Sequence, residues 1–372
     1  MIYYIFLLAF YFLSGFCELN QKCEKKKSYS YTLIMMLPLY ILTAFRDLAI
    51  GADTYSYYRT YNLISQSSDL KSALISSRME KGYIIVNYLL SKIGCTYLGF
   101  QVIISLIIYT SLFFFINKHS VNIGFSLFAF LSLRMAFGPM NTIRMWFAIA
   151  IVLLSNKYVI NRQPLKFAIL VLLASSFHTS ALIYFIIYII YDKVIEKKKV
   201  MAILVMSLGI GIIGRPFFAM LTNLIGKYSG YLESEYFTTE NNIAVYLNIL
   251  IDVCFGLLLY LCSMNNCDVL HDDSNNPNAA LSTSTFRILS YGTVLLIAID
   301  LIGIGNTIMS RVASYFHIYH ILTIPLSIFF LKGKRKAMYY IIVCLLLVIQ
   351  FMVVMIYRPQ WNFVTPYQFW SK

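Results

Sequence analysis

Residues 339–356 read YYIIVCLLLVIQFMVVMI, eighteen positions without a charge. As an α-helix this stretch extends about 27 Å at 1.5 Å per residue, close to the ~30 Å hydrocarbon core of a bilayer. It has no alternation of apolar and polar residues, so it does not suit a strand of a closed barrel. A loop or open sheet would leave backbone groups unpaired in lipid. Basic residues sit just before it, at Lys332, Lys334, Arg335 and Lys336, and such residues favour the cytoplasmic side. One stretch therefore sets both class and orientation: an all-α polytopic membrane protein.

Comparable runs recur along the chain. Of 372 residues, 59% are hydrophobic and 12% charged, against roughly 25% charged in soluble domains. The net charge of +14 is first of all positive charge on cytoplasmic loops, so no nucleic-acid partner is inferred. The seven cysteines form no CxxC pair and no Cys/His cluster of zinc spacing, so neither a disulfide, nor a metal, nor another cofactor is expected. The opening residues lack a basic segment, and Phe16 before Cys17 suits no lipoprotein cleavage site, so a retained first span is expected.

With loop charge as the guide, about twelve spans are expected in a single membrane domain, 1–372. They cover about 2–17, 29–45, 96–116, 121–137, 141–160, a pair within 166–191, 199–214, 243–263, 286–305, 312–331 and 337–356. An outer segment, 46–95, carries short helices, with the apolar stretch 83–94 lying at the interface or leaning into the third span. A second outer loop covers 215–242, and a polar cytoplasmic loop covers 265–285. The stretch 166–191 is flanked at both ends by basic residues, so it is expected to fold back on itself at Ser176-Phe177-His178-Thr179-Ser180. Backbone turning near membrane depth needs protein or water around it, which directs His178 into a wet cavity.

The arginines break the insertion rule. On this topology most lysines lie inside, whereas Arg46, Arg59, Arg78, Arg134, Arg144, Arg215, Arg311 and Arg358 lie outside or at outer span ends. Arginine's planar fork fits phosphate oxygens two at a time and stays charged when buried. The asymmetry suggests an outward-facing phosphate or pyrophosphate site; lipid headgroups or nearby carboxylates are the plainer partners. Acids gather on the same side, at Asp47, Asp53 and Glu80. Asp53 and Thr54 also suit the N-cap of a helix through Tyr55 to Ile64. Within spans, Asp252 reads as structural, Asp300 suits a bridge to Arg311, and His317 and His320 lie one to two turns below Arg311.

Ordered signatures run along the chain: Arg46-Asp47, Gly51-Ala52-Asp53-Thr54-Tyr55, Glu80-Lys81-Gly82-Tyr83, Asn141-Thr142-Ile143-Arg144, Phe177-His178-Thr179-Ser180, Ser310-Arg311-Val312-Ala313-Ser314-Tyr315-Phe316 and Pro366-Tyr367. In this the chain resembles the EpsG-like branch of bacterial polysaccharide polymerases, relatives of the Wzy-type O-antigen polymerases. The resemblance implies a GT-C-like helical architecture in the bacterial inner membrane, with its active site at the outer leaflet, facing the periplasm or exterior. It implies a glycosyltransferase that joins undecaprenyl-pyrophosphate-linked repeat units into O-antigen, capsule or exopolysaccharide, with chain length set by a separate regulator. On that reading Arg46, Arg144 and Arg311 hold the pyrophosphate. Asp47, Asp53, Glu80 and His178 are the unranked candidates for activating the acceptor hydroxyl. A flippase for the same units is the main alternative. A membrane acyltransferase fits less well, and a ligase would share the polymerase chemistry.

Overall fold

The computed structural model describes residues 1–19, 28–191, 196–214, 216, 243–264, 283–305, 309–331 and 333–371. The expected loops at 215–242 and 265–285 fall almost entirely outside the described residues, as do Arg215 and the basic cluster at Lys22 to Lys27.

Helices carry the fold, and the β pairing found among the described residues is one isolated bridge, Arg46 with Phe369. In chain order the α-helices are α1 (Ile2–Glu18), α2 (Tyr29–Ala44), α3 (Thr54–Ser65), α4 (Leu70–Ser76), α5 (Lys81–Lys92), α6 (Tyr97–His119), α7 (Ile123–Ser132), α8 (Gly138–Asn141), α9 (Ile143–Ile160) and α10 (Pro164–Ser175). They continue with α11 (Phe185–Ile190), α12 (Lys197–Ile213), α13 (Ile243–Met264), α14 (Thr283–Ile302), α15 (Met309–His317), α16 (His320–Phe329) and α17 (Lys334–Tyr357).

The chain is a polytopic helical membrane protein. Among the described residues α6, α9, most of α14 and α17 are long and apolar enough to cross a bilayer, and two bent helix pairs bring the count to at most six. That is fewer than the twelve spans expected. Several of the others, including α1, α2 and α10, are apolar helices of only 10–17 residues, short of the roughly 20 that a perpendicular crossing needs.

α9 is the most enclosed of the long helices, with 72% of its apolar window buried, against 33% for α17. On α17 the face with Tyr340, Cys344, Leu347, Phe351 and Met355 packs inward. Ile341, Leu345, Ile349, Val353 and Ile356 form an exposed stripe at spacings of three and four, the face a helix gives to lipid. At the start of α7, the buried Glu18 accepts the Ile123 and Gly124 N–H groups, each at 2.8 Å, and the Tyr31 hydroxyl at 2.7 Å. It thereby satisfies donors that a helix start leaves open.

The two bent pairs correct the sequence reading, which treated 121–137 and 312–331 as continuous spans. The first turns by 71° between α7 and the Met135–Asn141 segment, where Arg134 adopts the left-handed region at φ 63°. The second turns by 44° between α15 and α16. Broken backbone inside a membrane persists where protein or a cavity covers it, and residues beside both breaks line one internal cavity.

Candidate active site

Glu80 occupies the N-cap position of α5, in extended backbone and with no side-chain capping bond, so its carboxylate is free to point elsewhere. It points at Arg144, whose guanidinium forms a close ion pair with Glu80 Oε2. Arg144 is the second residue of α9, and its guanidinium lies 5.8 Å over the ring of Tyr57 and 5.9 Å over that of Tyr83. His178, at the turn after α10, brings Nδ1 to 3.3 Å from Glu80 Oε1, though off the line of a good hydrogen bond. The three side chains are about one-sixth to one-quarter exposed.

Two close approaches build this arrangement. The Gly82 N–H donates to the Ser176 carbonyl at 2.9 Å. A Cβ on Gly82 would stand 2.3 Å from Ser176 Oγ and 2.7 Å from its carbonyl oxygen. Only glycine lets the Glu80 segment seat on the turn that carries His178. The 166–191 stretch does turn back at Ser176–His178, continuing as a 3₁₀ turn, Thr179–Tyr184, and then α11.

On the other side Gly51, at φ 94°, has no room for a Cβ, which would stand 2.3 Å from the Met140 carbonyl oxygen. The Ala52 N–H donates to Asn141 Oδ1 at 2.7 Å. Thr54 Oγ1 donates to the carbonyls of Ile50, at 2.6 Å, and Met140, at 3.1 Å. The Gly51-to-Tyr55 loop is thus fastened to α8, three residues before Arg144.

Burial alone would push the Glu80 carboxyl up in pKa. The His178 imidazole and the Arg144 guanidinium outweigh it and hold Glu80 at about 2. Glu80 is therefore a fixed anion at neutral pH and a weak base. Asp53 sits at the N-cap position of α3 without capping it. Its carboxylate opens to solvent, yet the protein around it raises its pKa, with Arg311 and Arg144 pulling it partly back. Tyr315, one turn beyond Arg311 on α15, is near enough to feel the charge of Glu80. Glu80, His178, Arg144, Asp53 and Arg311 thus share one neighbourhood.

Two expected residues stand apart. Arg46 is fully buried; its guanidinium donates to the Thr43 carbonyl at 2.5 Å and to Thr54 Oγ1 at 3.5 Å. It supports the loop from inside, sealed from any pyrophosphate outside. Asp47 accepts the Ala49 N–H at 3.0 Å, closing a local turn. Tyr57 and Tyr83, whose rings lie 5.8 Å from each other and both face Arg144, were missed as its partners.

Residues far apart in sequence but in fixed order thus meet at one place. The sequence model of the EpsG family matches residues 29–369, which takes in all of them. The chain belongs to the EpsG family. No curated protein and no solved structure matches it. The family match and the apolar helices make this EpsG-family chain a membrane protein associated with polysaccharide synthesis.

Proposed function

We propose that this chain is a Wzy-type polysaccharide polymerase. On this reading it is a GT-C-like membrane glycosyltransferase in the bacterial inner membrane, with its site facing the periplasm or exterior. It transfers a glycan from undecaprenyl pyrophosphate to a hydroxyl of another lipid-linked unit. The observation that carries the reading is the joining of Glu80, Arg144 and His178, with Asp53 and Arg311 beside them.

In the transfer, the acceptor oxygen bonds to the anomeric carbon as the bond from that carbon to the pyrophosphate oxygen breaks. The hydroxyl proton must leave, and negative charge grows on the departing pyrophosphate. His178, whose ring faces Glu80 across 3.3 Å, can take the proton on a ring nitrogen. Glu80, kept anionic beside the ring, stabilises it once protonated, as a carboxylate does beside a catalytic histidine. Arg144 and Arg311 meet the growing charge as donors already in place. Asp53 sets the position of Arg311 and of the acceptor.

A flippase for the same units is the second reading. It is favoured by the cavity that Arg134, Asp252, Asp300 and His317 line inside the bundle, where a purely superficial site would leave apolar packing. A gel of lipid-linked glycan from cells lacking the chain separates the two. Resupplied wild type restores a ladder of many repeats, while the deletion and Arg144→Ala stop at a single repeat in the outer leaflet. A ladder that persists without the chain overturns the polymerase reading. Loss of single repeats from the outer leaflet transfers the case to the flippase.

A further inference from the structure

A second set of ionisable side chains lies inside the bundle, apart from Glu80 and Arg144. Asp252 comes from α13, Asp300 from α14, His317 from the end of α15 and His320 from the start of α16. The break between α15 and α16 turns both imidazoles to one point. Asp252 Oδ1 lies 2.7 Å from His320 Nε2 and 3.8 Å from His317 Nε2. One ligand atom from each of these three residues fits within 4.8 Å of the others. In a tetrahedral site with bonds of about 2.0–2.1 Å, neighbouring ligand atoms stand roughly 3.3 Å apart, a value that lies between these two distances.

Three further features point the same way. Asp300 stands beside Asp252 and lines the same cavity, which brings a second carboxyl group to the cluster. The other ring nitrogen of His320, Nδ1, lies 3.2 Å from Thr323 Oγ1, so the ring is held with Nε2 toward Asp252, as outer partners hold metal-bound histidines. Asp252 and His320 are almost wholly enclosed, whereas His317 keeps a third of its side chain accessible. That face lines a cavity of about 160 Å³, shared with Arg134, Ser310 and Ser314.

We propose that Asp252, His317 and His320, with Asp300 beside them, bind one divalent transition-metal ion of the Zn²⁺ class, with an open coordination position toward the cavity. Imidazole nitrogens with carboxylate oxygens suit zinc and its neighbours rather than magnesium or calcium, which favour oxygen alone. Two histidines and a carboxylate with one position left open is an arrangement used where zinc holds a water or an oxygen ligand. Arg134 beside that position gives a bound anion a second contact.

The full-length protein in detergent, stripped with a chelator, is titrated with Co²⁺ and followed by visible absorption, and its Zn²⁺ content is measured by mass spectrometry after reloading. One equivalent of Zn²⁺ per chain and the intense Co²⁺ bands of four-coordinate geometry are expected. His317→Gln and Asp252→Asn should lose stoichiometric binding. Thr323→Val, which frees the His320 ring, should weaken it about tenfold. Glu80→Gln, in the other site, should bind as wild type does, and gel filtration checks that each variant is folded. Wild-type protein that takes up neither metal stoichiometrically overturns the proposal. So does a folded His317→Gln protein that binds as tightly as wild type.

Discussion

Glu80, Arg144 and His178 meet where loops and helix starts converge, while Asp252, Asp300, His317 and His320 meet within the helical bundle. The first group balances itself: an anion lies between a guanidinium and an imidazole, with charges opposed and partly wet. The second has two acids against two imidazoles, with Asp252 and His320 enclosed and His317 partly open to the cavity; there a net charge is costly unless something shares it. On the polymerase reading, the first group is complete as it stands and is suited to receive a substrate. The second stands to gain from a cation. On these two readings, similar residue types in different surroundings are prepared for different tasks.

The largest break in this comparison should come from Glu80→Gln, which removes the anion between Arg144 and His178. Polymerisation, read as repeats per chain on a glycan gel, should fall by about 10²-fold or more, with single repeats still present. A variant that keeps full ladders would detach Glu80 from the chemistry. Next comes Gly82→Ala, whose added methyl meets Ser176 and forces the two segments apart. It should cost roughly 1–3 kcal/mol in thermal stability and lower activity in proportion to the displacement of Glu80 from His178.

Acidification gives a smaller effect of known sign. The folded-state pKa of Glu80 lies at about 2, below its ordinary 4.5. The stability it contributes is therefore complete above about pH 4.5 and is lost as pH falls toward 2. Wild type should exceed Glu80→Gln by about 2 kcal/mol near neutrality, after discounting for partial solvent contact. Melting curves between pH 7 and pH 3 should show that advantage shrink. An advantage that grows on acidification would contradict the ion pair. Smallest is Asp47→Asn, which keeps the oxygen that accepts the Ala49 N–H. Its ladder should match wild type within about twofold, the level expected of a surface change.

Much of the fold was legible because hydropathy and loop charge act over many residues at once. The reversal at Ser176–His178 could be read from basic residues at both ends of one apolar stretch. The breaks at Arg134 and between His317 and His320 could not, because local backbone geometry decides them and the surrounding runs stay apolar. Arg134 within such a run was the available signal. At the site, Glu80, Arg144 and His178 were each named, but their pairing depends on two close backbone approaches that no spacing reveals. Arg46 shows the converse limit. Its residue type suits pyrophosphate, and only its depth, beneath Thr43 and Thr54, gives it a supporting role. Asp252 and His320 stand 68 positions apart, so their meeting was invisible until helices α13 and α16 packed together.

The loop that begins at Arg46 is held by residues made more than 300 positions later. The Asp47 N–H donates to the Gln368 carbonyl at 3.0 Å, the Trp370 N–H to the Phe45 carbonyl at 2.8 Å, and the Gly51 N–H to the Phe363 carbonyl at 2.7 Å. The Tyr367 hydroxyl reaches the Leu42 carbonyl. During synthesis, then, the loop after Arg46 waits without these partners while nearly every helix is made, and it locks when the segment 363–370 arrives. A ribosome that stalls before this segment leaves a helical bundle in which the loop from Arg46 to Gly51 lacks its late backbone partners.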